Sequence, residues 1–234
     1  MLTKVLTSYM IGLCSTWTKY EDYSYMMGEY GVDMIKNIVF DMGMVLVSFN
    51  WMEYLEKLNF EKSMKETMIE KALGNTAVWN EHDRGVLSDE EFLEFASREA
   101  PEIKEPLRKY MAGVGAIIQE YDYAREWLHS LKVRGYHIYI LSNYGAAPFQ
   151  YAREHFTYFG EADGIVISSE VKMIKPEPGI YRYLLDTYGL IPEETVFLDD
   201  RRDNIEAAEK FGINGIVFES YKQGKQALEE LLDK

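Results

Sequence analysis

The chain has 234 residues, 47% hydrophobic and 27% charged, which suits one large domain or a core with a smaller insert and rules out disorder as the default. Its formal net charge of -14 argues against a nucleic-acid partner, because such binding rests on basic surface that neutralises phosphates. A single cysteine, Cys14, excludes an intramolecular disulfide framework and a cysteine-rich zinc site and agrees with a reducing, cytoplasmic compartment, while no apolar run approaches the ~20 residues of a membrane span.

The first 33 residues differ from the rest. MLTKVLTSYMIGLCSTW has a short apolar stretch behind Lys4 that faintly suggests a signal peptide, but Thr and Ser interrupt it. TKYEDYSYMMGEYGVD is rich in Tyr and Met and holds no sustained period. Residues 1–33 are therefore expected to be a peripheral extension, of the kind an upstream start codon would add, with the working protein beginning at Met34.

From Met34 onward, short apolar runs alternate with amphipathic segments. The runs are NIVF (37–40), HIYIL (137–141), GIVIS (164–168), TVFL (195–198) and GIVF (215–218). Their nearly continuous β-branched and aromatic character predicts strands buried on both faces of a parallel sheet. Between the later runs, YAREWLHSLKVRG, PFQYAREHF, PGIYRYLLDTYG and NIEAAEKFG read as helices, with Gly135, Gly189 and Gly212 where a helix end favours positive φ. This alternation predicts a doubly wound, mostly parallel α/β sheet.

One interval departs from it. Between NIVF and HIYIL, WMEYLEKL, SMKETMIEKALG, NTAVWNEHDRG, SDEEFLEFASREA and EPLRKYMAGVGAII all read as helices, with no good strand among them. Ser88 and Glu91 have capping-box spacing. The expected organisation is a core of residues 34–48 and 122–234 with a small helical cap, 49–121, inserted after strand 1. Ligands of open α/β sheets bind beyond the carboxyl ends of the strands, so this insert would lie over the site.

Polar residues stand at or just beyond those strand ends: Asp41 after NIVF, Ser142 and Asn143 after HIYIL, Lys175 beyond GIVIS, and Asp199 and Asp200 after TVFL. A parallel sheet brings them to one edge. Carboxylates so crowded repel unless a cation joins them, and a hard, oxygen-liganded ion such as Mg²⁺ meets that need.

FDMGMVLV, LSN, IKPEPGIY and FLDDRRDN, in this order, resemble the four motifs of the haloacid dehalogenase-like hydrolases, and the resemblance runs from about Met34 to the end of the chain. The insert's His82-Asp83-Arg84-Gly85 phrase is similar to the caps of the glucose-1-phosphatase-like branch. What the resemblance implies is a Mg²⁺-dependent phosphatase acting on a small phosphorylated metabolite, a sugar phosphate being one such substrate. Asp41 would be the covalent nucleophile, and Ser142 and Lys175 would act on the phosphoryl group. Asn143, His82 and Arg84 would be substrate contacts. Asp41, the Gly43 carbonyl, Asp199 and Asp200 would hold the metal, with Asn204 supporting its water.

Gly43 departs from most phosphatases of that superfamily, which carry an Asp two residues after the nucleophile as general acid and base, although the glucose-1-phosphatase-like branch also has Gly there. Two alternatives stand beside the phosphatase. A 2-haloacid dehalogenase uses the same nucleophile on carbon without a metal, and would leave Asp199-Asp200 without a task. A non-catalytic phosphate-binding protein would keep the fold and a phosphate pocket without the reaction.

Overall fold

NIVF forms strand β1 (Asn37–Phe40), with all four residues buried, in a computed structural model that describes residues 34–233. The expectation for residues 1–33 lies outside the described residues. The other runs form β4 (His137–Ser142), β5 (Gly164–Ile167), β6 (Thr195–Asp199) and β7 (Asn214–Val217). All four join β1 in one parallel sheet of order β5-β4-β1-β6-β7. The chain leaves β1 toward β4 and β5, then returns to its other side for β6 and β7, so β1 sits where the strand order reverses. In such sheets that reversal opens a crevice at the carboxyl ends of the strands.

The two-residue period of a strand explains why these runs are continuously apolar. Ile38 and Phe40 face one layer with Ile138, Ile140, Val196 and Leu198. Val39 faces the other with Tyr139, Leu141 and Phe197. Helices α6 (Ala124–Val133), α7 (Ala146–His155) and α11 (Tyr221–Leu232) cover the first face, the short α8 (Ser168–Val171) follows β5, and α9 (Pro178–Tyr188) and α10 (Arg202–Glu209) cover the second. Each fully buried aliphatic or aromatic side chain contributes roughly 1.5–3 kcal/mol, which is ample to set the register of strands this short. Gly135, Gly189 and Gly212 have φ of 95°, 63° and 86°, the conformation that helix ends favour.

The interval after β1 differs from the expectation in one respect. Two three-residue strands, β2 (Val47–Phe49) and β3 (Ile118–Glu120), pair antiparallel at its two ends. Strands this short carry too little periodicity to be seen in a sequence. Between them lie α1 (Trp51–Lys57), α2 (Lys62–Met68), a π-helical turn (Ile69–Leu73), α3 (Thr76–Arg84), α4 (Asp89–Ala96) and α5 (Lys104–Val114). Leu55, Met68, Phe92, Ile103, Leu107 and Tyr110 form a cluster of their own there. The Ser88–Glu91 capping box is complete: Glu91 N–H donates to Ser88 Oγ at 3.3 Å, and Ser88 N–H donates to Glu91 Oε2 at 2.8 Å.

Candidate active site

Asp41 is the first residue beyond β1, where its N–H still donates to the Leu198 carbonyl at 2.9 Å and so continues the ladder. Its Oδ1 accepts from Ser142 Oγ at 2.7 Å and from the Met42 N–H at 2.7 Å. Lys175 Nζ lies 2.9 Å from the same oxygen, 2.6 Å from Asp199 Oδ2 and 2.9 Å from the Leu141 carbonyl. The three protons of a buried ammonium thus have three acceptors. Asn143 holds Lys175 in place through its backbone: Nδ2 donates to the Lys175 carbonyl at 2.9 Å, and Oδ1 accepts its N–H at 2.8 Å.

Asp199 ends β6 with no exposed surface and accepts from Asn204 Nδ2 at 2.9 and 3.0 Å and from the Arg201 N–H at 2.8 Å. Asn204 is buried on α10, and its Oδ1 has no hydrogen-bond partner among the described residues. Asp200 stands at the rim, exposed on one side, yet oxygens of Asp41, Asp199 and Asp200 all lie within 4.8 Å of one another.

Three carboxylates against one ammonium leave two negative charges in a largely buried space. Burial pushes the Asp41 carboxyl up from 3.8 to about 7; Lys175 opposes that shift and Asp199 reinforces it. Burial alone would lower Lys175, but the charges of Asp199 and Asp41 outweigh it and hold the ammonium above its ordinary value. Partial burial, then the charge of Asp199, push Asp200 up as well. Such a cluster accepts a divalent cation readily, and its donors are the hard oxygens that Mg²⁺ selects.

Above the cluster opens a cavity of about 490 Å³, whose lining includes Asp41, Gly43, His82, Ser142, Asn143, Lys175 and Asn204. His82, on α3, is largely buried between Trp79 and Phe92, with ring centroids 5.0 and 4.9 Å away. Its Nδ1 lies 3.3 Å from Asp83 Oδ1. The ring packs on the loop after β4 so closely that a Cβ at Gly145 would fall 2.2 Å from His82 Cε1. Gly85, at φ 65°, ends α3 in the same manner against Ser169, whose Cβ would be 2.7 Å from an added methyl. At this junction Ser168 Oγ donates to the Asp83 carbonyl at 2.6 Å and Lys172 Nζ donates to the Gly85 carbonyl.

Arg84, expected as a substrate contact, is not brought to the cavity. Its guanidinium forms a two-pronged pair with Glu177, at 2.8 and 2.7 Å, on the far side of α3's last turn. The helical period explains this: Arg84 stands two residues after His82, about 200° around the helix, and so turns away from the face that His82 presents. The sequence reading also missed the cavity's apolar wall, which is lined by Phe49, Trp51, Leu73, Trp79, Val114 and Ile118. One signal was available for part of it. Thr76, Trp79, Asn80 and Asp83 follow the i, i+3, i+4, i+7 spacing of a single helix face, and all four line the cavity.

Residues 35–212 match the haloacid dehalogenase-like hydrolase family. A D-ribitol-5-phosphate phosphatase of Bacteroides thetaiotaomicron is 26% identical over 86% of this chain and 100% of its own length. The sesquiterpene phosphatase astK of Aspergillus oryzae is 27% identical over 77% of this chain and 88% of its own. The drimenol cyclase drtB of Aspergillus calidoustus is 26% identical over 79% of this chain, which spans about a third (34%) of that protein's length. Among solved structures, a haloacid dehalogenase-family enzyme from Bacteroides thetaiotaomicron, in complex with magnesium and inorganic phosphate, superposes with a TM-score of 0.62 over 80% of this chain and 97% of its own. At 21% identity it shows the shared fold.

Proposed function

The chain belongs to the haloacid dehalogenase-like hydrolases, and from that membership we propose that it is a Mg²⁺-dependent phosphatase of small phosphorylated metabolites, working through an aspartyl-phosphate. The observation that carries this reading is the triad of Asp41, Asp199 and Asp200, with oxygens within 4.8 Å of one another around a single lysine. A metal-free dehalogenase has no use for that surplus negative charge, and two relatives bear phosphatase names. In keeping with the sequence, residues 49–121 would act as the cap and the site of action would be the cytoplasm.

In this reading, Asp41 attacks phosphorus with its carboxylate as the bond to the leaving oxygen breaks. Water then cleaves the acyl phosphate, releasing inorganic phosphate and restoring Asp41. Ser142, now bonded to Asp41, turns its hydroxyl to a phosphoryl oxygen, and Lys175 neutralises charge on the transferring group. Asp41, Asp199, Asp200 and the Gly43 carbonyl would hold Mg²⁺, which when bound stabilises negative charge on the phosphoryl oxygens. The fit is supported by the unpartnered Asn204 Oδ1, a buried acceptor beside Asp199 suited to water held by the ion.

The glucose-1-phosphatase-like branch, and the sugar phosphate it suggests, rest on the His82–Gly85 phrase. Arg84's commitment to Glu177 weakens that part of the proposal. The deciding experiment is hydrolysis of a panel of phosphate esters, with p-nitrophenyl phosphate as a permissive member, in Mg²⁺ and after rigorous chelation. Turnover that needs Mg²⁺ is the expected result. Turnover that survives complete metal removal would overturn the mechanism, and 2-haloacid cleavage would then be the reaction to assay.

A further inference from the structure

We propose that the cavity selects phosphate monoesters whose alcohol is a hydrocarbon rather than a polyol; this rests on the phosphatase reading and names its substrate class. The cavity lining is of two chemical kinds. The floor is the charged cluster just described. An apolar wall is formed by Phe49, Trp51, Leu73, Trp79, Val114 and Ile118. Phe49, Trp51, Leu73 and Trp79 are only partly buried, so these large apolar side chains keep exposed surface among the described residues.

A volume of about 490 Å³ is well beyond what a phosphate alone fills. The remainder must take the alcohol. A polyol brings several hydroxyls, each of which needs a partner once water is displaced. Beyond the floor, the polar side chains lining the space include Thr76, Asn80, His82 and Asp83 on α3, which also carries Trp79, with Tyr110, Tyr144 and Arg201 from other elements. Asp83 and His82 already face each other. Against Phe49, Trp51, Leu73, Trp79, Val114 and Ile118, a sugar's hydroxyls would meet indole, phenyl and aliphatic carbon. A hydrocarbon meets the same surface with gain, by about fourfold in affinity per methylene buried.

The test uses the full chain with Mg²⁺ and two homologous sets at concentrations below micelle formation. One set is n-butyl, n-hexyl and n-octyl phosphate. The other is ribose 5-phosphate, ribitol 5-phosphate and glucose 6-phosphate. kcat/KM should climb by roughly 15-fold for each two methylenes added, and octyl phosphate should exceed every polyol phosphate by at least about 100-fold. Trp51→Gln should lower kcat/KM for octyl phosphate several-fold more than for p-nitrophenyl phosphate. A flat alkyl series, or a polyol phosphate that matches octyl phosphate, overturns the proposal. Calorimetric binding of the same esters separates this from the underlying reading. Failure to turn over p-nitrophenyl phosphate with Mg²⁺ would sink the phosphatase. Tighter binding of octyl phosphate than of ribose 5-phosphate would still support the hydrocarbon site, and equal or weaker binding would refute it.

Discussion

The floor and the wall of the cavity are held by different forces. On the floor, Lys175 touches Asp41, Asp199 and Leu141 at 2.6–2.9 Å, and Asn143, Ser142 and Asn204 fix those groups in turn. Every partner is specific by atom, so a replacement that removes a donor or acceptor leaves another buried group unsatisfied. The wall, from Phe49 to Ile118, is held by shape and apolar contact, and such surfaces tolerate replacement by residues of similar volume. A hydrolase built this way keeps its chemistry rigid while its choice of leaving group drifts with the helical segment above.

The sharpest break of that comparison is Asp41→Asn. It should lower kcat by at least about 10³-fold, because an amide cannot form the acyl phosphate. It should not lower stability in the metal-free protein above neutral pH, since it removes a carboxylate whose burial pushes it up to about 7. Retention of more than a few per cent of activity would remove Asp41 from its role, and a drop in Tm in EDTA at pH 8 would contradict the charge argument.

Lys175→Met tests the other half of the floor. Asp41 and Asp199 would then face each other without the ammonium, and stranding buried charge costs about 3–5 kcal/mol. For a domain of this size that is a fall in Tm of roughly 6–20 °C. Mg²⁺ should restore part of it by binding the folded state alone. Equal loss with and without Mg²⁺ would show that the carboxylates do not share an ion.

The wild-type protein should show the same charge balance in its pH dependence. Asp41 has a folded pKa of about 7 against an ordinary 3.8, so the folded state holds its proton more tightly. Stability of the metal-free protein should therefore fall as pH rises from about 4 to 7 on account of this group. Saturating Mg²⁺ should flatten the fall, because the ion favours the ionised carboxylate. Thermal melts across that range with EDTA or Mg²⁺ read both slopes, and identical slopes would count against metal binding at Asp41.

The two regions also differ in how much the sequence disclosed. Asp41 directly follows a short buried strand, Ser142 and Asp199 end one, and Lys175 lies several residues beyond one, and in a parallel sheet the end of a strand fixes a position in space without further knowledge. That is why the floor could be assembled from spacing alone. Trp51 and Trp79 lie on separate helices, and whether an indole enters a core or a cavity depends on how helices pack, which no local period encodes. Arg84 shows the same limit: its type suited an anion, but the turn of α3 delivers it to Glu177. β2 and β3 escaped notice because their three residues apiece owe their strand form to each other.

The smallest expected effect concerns Gly43, where the floor meets the wall. No carboxyl stands there to protonate a departing alkoxide, a service worth roughly 10²–10⁴-fold where it operates. The backbone does not forbid one: a Cβ built at Gly43 meets no atom within 4 Å, and the positive φ of this turn falls on Met44 instead, at 58°. Gly43→Asp should thus fold normally and place a carboxyl beside the leaving oxygen. Aryl phosphates, whose oxygens leave as stable anions, should change by less than about threefold. Alkyl phosphates, whose alkoxides need the proton, should gain about tenfold, short of the full range because the new side chain is not positioned by its neighbours. The dependence of rate on leaving-group pKa should accordingly become shallower in the variant. An unchanged, already shallow dependence would mean that the wild-type enzyme has an acid elsewhere. His82 and Asp83, which line the cavity from α3, would then be the groups to replace.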